Sequence, residues 1–299
     1  MSAPVRDKWA DWLLERRHGG DGEALEATMQ ALAPVRDRVL ENAALRDRDV
    51  VLDVGCGDGL IAFGALDRVG ESGRVILSDV SNDLLERCRA LAGEAGVADR
   101  CEFVQARAQD LAAIGDESVD AVTTRSVVIY VPLEEKPRAF CEFFRVLKPG
   151  GRLSMFEPIN RFGFPEPNDR FMGFDVAPIL RLAGKVKAVF ERARGERTLI
   201  DFDERDLLTF AERAGFAEVR LSYEAKVERA GGLCWGDTPP WDVFLHSSGN
   251  PCAPTLAEAL EEGLTPAERE EFVGYLRPRY EAREGTVRFA TSYLLAVKR

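Results

Sequence analysis

The residues best suited to chemistry lie in one glycine-rich stretch, residues 51–59. An apolar strand there carries Asp53 near its end and is followed by a turn that contains Gly55, Gly57 and Gly59. Glycine has no Cβ, so such a turn lets the backbone approach a ligand closely, and the amino end of a helix follows it. The pattern therefore predicts a binding site for a small molecule.

The spacing of these glycines argues against a dinucleotide ligand. A dinucleotide motif would place its third glycine at the position of Leu60. The next predicted strand ends in Asp79, whose carboxylate can accept hydrogen bonds from both hydroxyls of a ribose. The predicted ligand thus has a ribose and a short charged tail, without a pyrophosphate.

Strands that alternate with helices must position these residues. Five apolar stretches predict strands at 50–54, 74–79, 102–105, 119–124 and 152–156, and two later strands are predicted at 217–227 and 286–298. The first five are separated by helical segments, which implies parallel pairing through right-handed crossovers. The last two are expected to pair antiparallel at the edge of the sheet.

Three segments fall outside this alternation. Residues 1–48 are predicted to form an N-terminal helical cap on a domain of residues 49–299. Residues 158–200 and 229–285 are insertions into that domain. Insertions of this size usually carry specificity rather than stability, so together they are predicted to form a substrate lid.

Several motifs in order resemble the class I S-adenosylmethionine-dependent methyltransferases, especially the small-molecule branch that includes the quinone-biosynthesis C-methyltransferases. The matching pieces are 52–57, Asp79 with 81–85, 118–122 and 143–151. The resemblance covers about residues 48–160, extends loosely to the two last strands and leaves the insertions unmatched. It implies an α/β, Rossmann-like seven-stranded sheet, mostly parallel with an antiparallel last strand and helices on both faces. It also implies S-adenosyl-L-methionine as cofactor and S-adenosyl-L-homocysteine as product.

The resemblance also assigns roles to individual positions. The cofactor-binding positions that it implies are Asp53, Gly55, Gly57 and Gly59 for the methionine and ribose portions, Asp79 for the ribose, Val80, Ala108 and Gln109 for adenine, and Arg125 and Ser126 beside the methionine moiety. Asp53 is expected to orient the charged amino group through water. The family often has Gly-Asp-Ala where this chain has 106–108 with Arg107 in the middle. The acidic contact to the adenine amino group is therefore missing, and Asp110 lies downstream of that slot.

Methyl transfer from a sulfonium requires alignment above all, so no catalytic side chain is obligatory. A general base is needed only for an acceptor that holds its proton at neutral pH. His246, in the second insertion, and Glu157, at the end of the fifth strand, are the two candidates. A surface or packing histidine is the alternative for His246, and a structural hydrogen bond or salt bridge is the alternative for Glu157. Tyr130, Trp235 and Trp241 could form aromatic walls for a flat acceptor or pack in the core.

Composition narrows the class of partner. The formal net charge is −11, which disfavours nucleic-acid and anionic membrane surfaces. The six cysteines form no Cys-x-x-Cys pair, and with two histidines no metal site is expected; reduced thiols predict a cytoplasmic protein. The expected function is methylation of oxygen, nitrogen or carbon on a small organic acceptor, natural-product or quinone-like. RNA or protein methylation and a non-catalytic cofactor-binding protein are the alternatives.

Overall fold

The computed structural model describes residues 6–193, 198–230 and 238–299. The chain divides into two compact units. The first, here called the insertion unit, contains Met1–Leu32, Phe162–Arg197 and Ala225–Phe289. The second, the sheet unit, contains Ala33–Arg161, Thr198–Glu224 and Ala290–Arg299.

The strands and helices alternate through the first half of the chain. The strands are β1 (Val50–Val54), β2 (Arg74–Asp79), β3 (Cys101–Gln105), β4 (Val119–Arg125), β5 (Leu147–Pro158), β6 (Arg170–Phe171), β7 (Phe174–Asp175), β8 (Glu218–Ala230) and β9 (Gly285–Val297). The helices are α1 (Lys8–Leu14), α2 (Gly22–Ala43), α3 (Leu60–Leu66), α4 (Asn82–Glu94), α5 (Lys136–Val146), α6 (Leu180–Ala193), α7 (Glu204–Ala214), α8 (Trp241–His246), α9 (Leu256–Gly263) and α10 (Pro266–Glu281).

One seven-stranded sheet has the order β3-β2-β1-β4-β5-β9-β8. Strands β1 to β5 pair in parallel, and β9 pairs antiparallel with β5. The α/β class, the mostly parallel sheet and the antiparallel strand at its end are thereby confirmed. In this order β1 lies between β2 and β4. The chain therefore places β2 and β3 on one side of β1 and then crosses to the other side of β1 for β4 and β5.

Local sequence explains the first elements. Four of the five residues of β1 are buried. This is expected for a central parallel strand, because both faces of such a strand are covered by the protein. Ser81 caps α4 by accepting the N–H of Leu84. Asp203 closes a capping box with Asp206 at the start of α7, and Gly215 ends that helix in the left-handed conformation.

Strand β5 is longer than the predicted 152–156. The sequence Lys148-Pro149-Gly150-Gly151 predicts a turn, and Gly150 does adopt a positive φ of 80°. However, Gly150 donates to the carbonyl of Lys298, and the Lys298 N–H donates to the carbonyl of Gly151. These bonds continue the ladder between β5 and β9 to Gly150, and Leu147 at the start of β5 pairs with Val119 on β4.

The insertion unit has an aromatic core of its own. Trp241 on α8 is buried against Tyr280 on α10 at a ring separation of 5.3 Å, and Phe244 stacks on the same tyrosine at 4.4 Å. Residues 158–200, predicted only as an insertion, contain the small β6–β7 ladder and α6. Among the described residues no helix is long and apolar enough to cross a bilayer.

Candidate functional site

The glycine turn lies where the sheet changes direction, at the carboxyl ends of β1 and β4. Val54 on β1 is in register with Ser78 on β2 and with Thr124 on β4. Open α/β sheets bind ligands outside the carboxyl ends of their strands at this point, where helices do not cover the sheet edge. The candidate site is therefore built from the segments that follow β1, β2, β3 and β4 in the sheet unit.

All three glycines of the turn have left-handed backbones, with φ of 66° at Gly55, 55° at Gly57 and 87° at Gly59. A Cβ at Gly55 would lie 2.3 Å from Cγ2 of Val127, and one at Gly59 would lie 2.4 Å from the ring of Phe63. Both glycines are thus required by the packing of the chain itself. The sequence predicts glycines here because a ligand approaches the backbone closely. The packing requirement is a second reason, and the spacing of the glycines does not reveal it.

Asp79 is tied to the same turn. Its Oδ2 accepts the N–H of Gly57 at 2.9 Å, and its Oδ1 accepts the N–H of Ser81 at 2.9 Å. The side chain is only 6% exposed. An ionised carboxylate has about four lone-pair positions, so both oxygens can accept further hydrogen bonds from a ligand. The arrangement suits a pair of ribose hydroxyls.

Asp53 is buried at the end of β1. Its Oδ1 accepts the hydroxyl of Thr123 at 2.8 Å, whereas its Oδ2 has no hydrogen-bond partner among the described residues. Burial raises the pKa of Asp53 to about 7, against the opposing effects of the Thr123 bond, the Arg125 charge and the nearby Ala62 backbone N–H. An ammonium group nearby would stabilise the ionised carboxylate. The orphaned oxygen therefore fits the amino group of an amino-acid tail.

The positions predicted for adenine follow β2 and β3. Val80 follows the buried Asp79 but is itself 39% exposed. Its side chain therefore offers an apolar surface to a flat ring. Ala108 is buried, and Gln109 donates its side-chain amide to Glu135. Arg107 and Asp110 are both exposed, and the Asp110 N–H donates to the Arg107 carbonyl. Residues 107–110 thus form a tight turn, with Arg107 and no acidic side chain at the second position of 106–108.

The segment after β4 carries the predicted neighbours of the methionine moiety. Arg125 is half-buried, and Ser126 adopts a left-handed φ of 57° while its N–H donates to the carbonyl of Phe156. Tyr130 is half-buried at the end of a short 3₁₀ turn. These three residues therefore lie in the sheet unit at the end of β4 and directly after it, and β4 neighbours the strand that leads into the glycine turn.

Glu157 is held by the backbone of that segment. Its Oε1 accepts the N–H groups of Val127 and Val128 at 2.9 and 2.8 Å, and its Oε2 accepts the N–H of Ile129 at 3.2 Å. Burial raises the pKa of Glu157 to about 7, although the three backbone bonds oppose that rise. Of the two roles that the sequence allows, the observed one is the structural hydrogen bond.

Other predicted residues lie in the insertion unit. His246 is exposed on α8, and its Nδ1 contacts the carbonyl of Asp242 at 2.8 Å. Trp241 is 6% exposed within the aromatic core. Trp235 lies outside the described residues. In the described part of the chain no cluster of three His, Cys, Asp or Glu side chains could hold a metal ion.

Sequence reasoning overlooked several residues at this site. Oδ1 of Asp58, within the turn, is buried without a hydrogen-bond partner among the described residues. Lys136, fully buried at the start of α5, forms an ion pair of 2.9 Å with Asp201. Asp58 lies within the glycine motif and could have been singled out there. A contact between Lys136 and Asp201, by contrast, leaves no pattern in a single sequence.

Comparison with known proteins agrees with this geometry. Residues 51–151 match the methyltransferase domain family. The chain is 31% identical to the ubiquinone/menaquinone biosynthesis C-methyltransferase UbiE of Salmonella arizonae, over 60% of this chain and 71% of that protein. It is 34% identical to the arsenite methyltransferase of Halobacterium salinarum, over 42% of this chain but only 31% of that protein.

A solved structure shares the fold at low sequence identity. The phosphoethanolamine N-methyltransferase 2 of Haemonchus contortus, in complex with S-adenosyl-L-methionine, superposes with a TM-score of 0.54 at 15% identity. The likeness covers 97% of this chain and 60% of that one. It supports the architecture of the sheet unit.

Proposed function

Because the chain belongs to the class I S-adenosylmethionine-dependent methyltransferase family, we propose that it methylates oxygen, nitrogen or carbon of a small organic acceptor by in-line displacement. The family makes S-adenosyl-L-methionine the cofactor. The main support within the chain is the orphaned Oδ2 of Asp53 beside a left-handed glycine turn that Asp79 holds. When bound, the cofactor supplies a sulfonium with an activated methyl group.

The roles of the side chains follow from their chemistry. Asp53 would hold the cationic amino group, because Oδ2 of its buried carboxylate has no hydrogen-bond partner among the described residues. Asp79 would accept the ribose hydroxyls, and Val80 would cover one face of adenine. Gly57 would leave room for the ligand beside its backbone. Alignment by these contacts can contribute roughly 7–11 kcal/mol to the rate without a catalytic base.

The methyl acceptor is assigned one contact residue in the sheet unit. Tyr130, half-buried after β4, is the aromatic side chain of the sheet unit that we assign to the acceptor. The insertions 158–200 and 229–285 as a substrate lid remain a prediction. A net charge of −11 supports a small molecule over nucleic acid, and the cytoplasmic location rests on the cysteine pattern alone.

The experiment is calorimetric titration of the purified chain with S-adenosylmethionine, S-adenosylhomocysteine and NADH in parallel. We expect both sulfur compounds to bind and NADH not to bind. A radiolabelled methyl-transfer screen over phenols, quinols, amines and carboxylic acids, with RNA and bulk protein as further acceptors, then identifies the substrate class. Labelled RNA or protein alone would favour the alternative substrates, and binding without any turnover would favour a non-catalytic protein.

A further inference from the structure

A buried group of charges lies directly behind the segment that follows β4, and the chemistry proposed above does not use it. This segment, Ser126–Val131, is here called the β4–α5 segment. Behind it lie Glu157 at the end of β5, Lys136 at the start of α5, and Asp201. Glu157 and Lys136 are both fully buried. Buried ionised groups are costly unless they are paired and hydrogen-bonded, so their retention calls for an explanation.

Both ends of the β4–α5 segment are fixed by this group. At its start, the Ser126 N–H donates to the Phe156 carbonyl, and the next three N–H groups all donate to the Glu157 carboxylate. At its end, Nζ of Lys136 donates to the carbonyl of Val131. Lys136 also pairs with Asp201 at 2.9 Å, and its positive charge acts against the rise in the pKa of Glu157.

The segment in turn contacts the glycine turn. Cγ2 of Val127 occupies the space where a Cβ of residue 55 would be, at 2.3 Å. The N–H of the same Val127 is bound by Glu157. Displacement of the carboxylate would therefore move Val127 relative to Gly55, and with it the left-handed Ser126. Val127, with the adjoining Ser126, thus connects the buried carboxylate to the wall of the cofactor site.

We propose that Glu157, assisted by Lys136, is a positioning residue: it holds the β4–α5 segment against the glycine turn and thereby sets cofactor affinity. The proposal rests on the proposed function only in taking the turn as the cofactor site. Glu157 does not touch the cofactor in this scheme and is not a general base. It acts through Val127 and Ser126.

The test compares Glu157→Gln with the unaltered chain. The amide has nearly the same shape, but its nitrogen cannot accept, so either Ile129 or the Val127 and Val128 pair would face a donor at about 3 Å. Removal of a buried charge offsets part of the lost bonding, which keeps the variant folded. The dissociation constant for S-adenosylhomocysteine, measured by calorimetry well below the unfolding temperature, is expected to rise about tenfold.

Arg152→Met is the matched control. Arg152 forms a buried ion pair of 2.6 Å with Asp49 in the same unit, at the amino ends of the strands rather than the carboxyl ends. Its loss is expected to lower the thermal midpoint and leave the dissociation constant unchanged. Lys136→Met, which frees the Val131 carbonyl, is expected to weaken binding in the same direction as Glu157→Gln.

Hydrogen exchange supplies a readout that does not depend on the ligand. Peptides that cover the β4–α5 segment should exchange faster in Glu157→Gln than in the unaltered chain or in Arg152→Met. An affinity for S-adenosylhomocysteine in Glu157→Gln equal to that of the unaltered chain, with only the thermal midpoint lowered, would overturn the positioning role and leave the proposed function standing. Failure of the unaltered chain to bind the compound would instead overturn the proposed function itself.

Discussion

Replacement of Asp79 by alanine should remove most of the cofactor affinity while the chain still folds. Each carboxylate oxygen already accepts one backbone N–H at 2.9 Å and is assigned one ribose hydroxyl in addition. A hydrogen bond to a charged acceptor contributes about 1.5–3 kcal/mol. Loss of both ribose bonds therefore costs roughly 3–6 kcal/mol, which corresponds to a rise in the dissociation constant of roughly 10²–10⁴-fold.

The assay is calorimetric titration with S-adenosylhomocysteine, with thermal unfolding measured on the same preparations. Asp79→Asn keeps one acceptor oxygen, so its dissociation constant should lie between those of the alanine variant and the unaltered chain. Asp99→Ala is the control, because Asp99 is exposed in the same unit outside the glycine turn. It should match the unaltered chain in both measurements.

One result would refute the ribose assignment. If Asp79→Ala bound S-adenosylhomocysteine within about twofold of the unaltered chain, with its circular dichroism unchanged, the carboxylate would contribute less than a single hydrogen bond. The backbone turn alone would then account for the affinity, and Asp79 would serve only to fix Gly57 and Ser81.

Three further predictions concern the same site. Gly57→Val should abolish S-adenosylhomocysteine binding in calorimetry, because a branched side chain at φ of 55° both strains the turn and enters the ligand space; retained binding would contradict this. Gly55→Ala should lower the free energy of unfolding by about 2–4 kcal/mol in urea titrations, and Val127→Ala in the same chain should restore part of it, since the overlap at 2.3 Å disappears. Burial raises the pKa values of Asp53 and Glu157 from 3.8 and 4.5 to about 7, so the native state keeps protons that the unfolded state has released. Their contribution to the free energy of unfolding should therefore fall as the pH rises from about 4 to about 7 and then stay level. Asp53→Asn should flatten that decline by up to about 4 kcal/mol and Glu157→Gln by up to about 3 kcal/mol. An identical slope in urea titrations across this range would count against the raised values.

Elements specified by neighbouring residues were predictable from the sequence. The bounds of β1 and β2 agree with the prediction because each is an apolar run that polar or glycine residues interrupt at both ends. Helix α7 begins after Asp203 and ends at Gly215, as its cap residues indicate. The glycine turn was found for the same reason, since a strand, three glycines and a helix start occupy one short stretch.

Features that depend on distant parts of the chain were not predictable. The residues that fix the β4–α5 segment come from β5, from α5 and from a position far along the chain, Asp201. Nothing in the spacing of Glu157 indicates that three amides surround it, so acid–base chemistry and a structural bond could not be separated. The extension of β5 likewise depends on the Lys298 backbone and on the pairing of Leu147 with Val119, which only the folded sheet brings alongside.

Each of the two units is assembled from three separate stretches of the chain. The boundary at 289/290 falls inside β9, so both units require residues of this strand. Until β9 has been synthesised and has paired, β5 exposes an unpaired edge, which is a hazard for aggregation of the nascent chain. A chimera that exchanges the insertion unit with a relative needs junctions at 32/33, 161/162, 197/198, 224/225 and 289/290 together, because a single graft would leave the donor core incomplete.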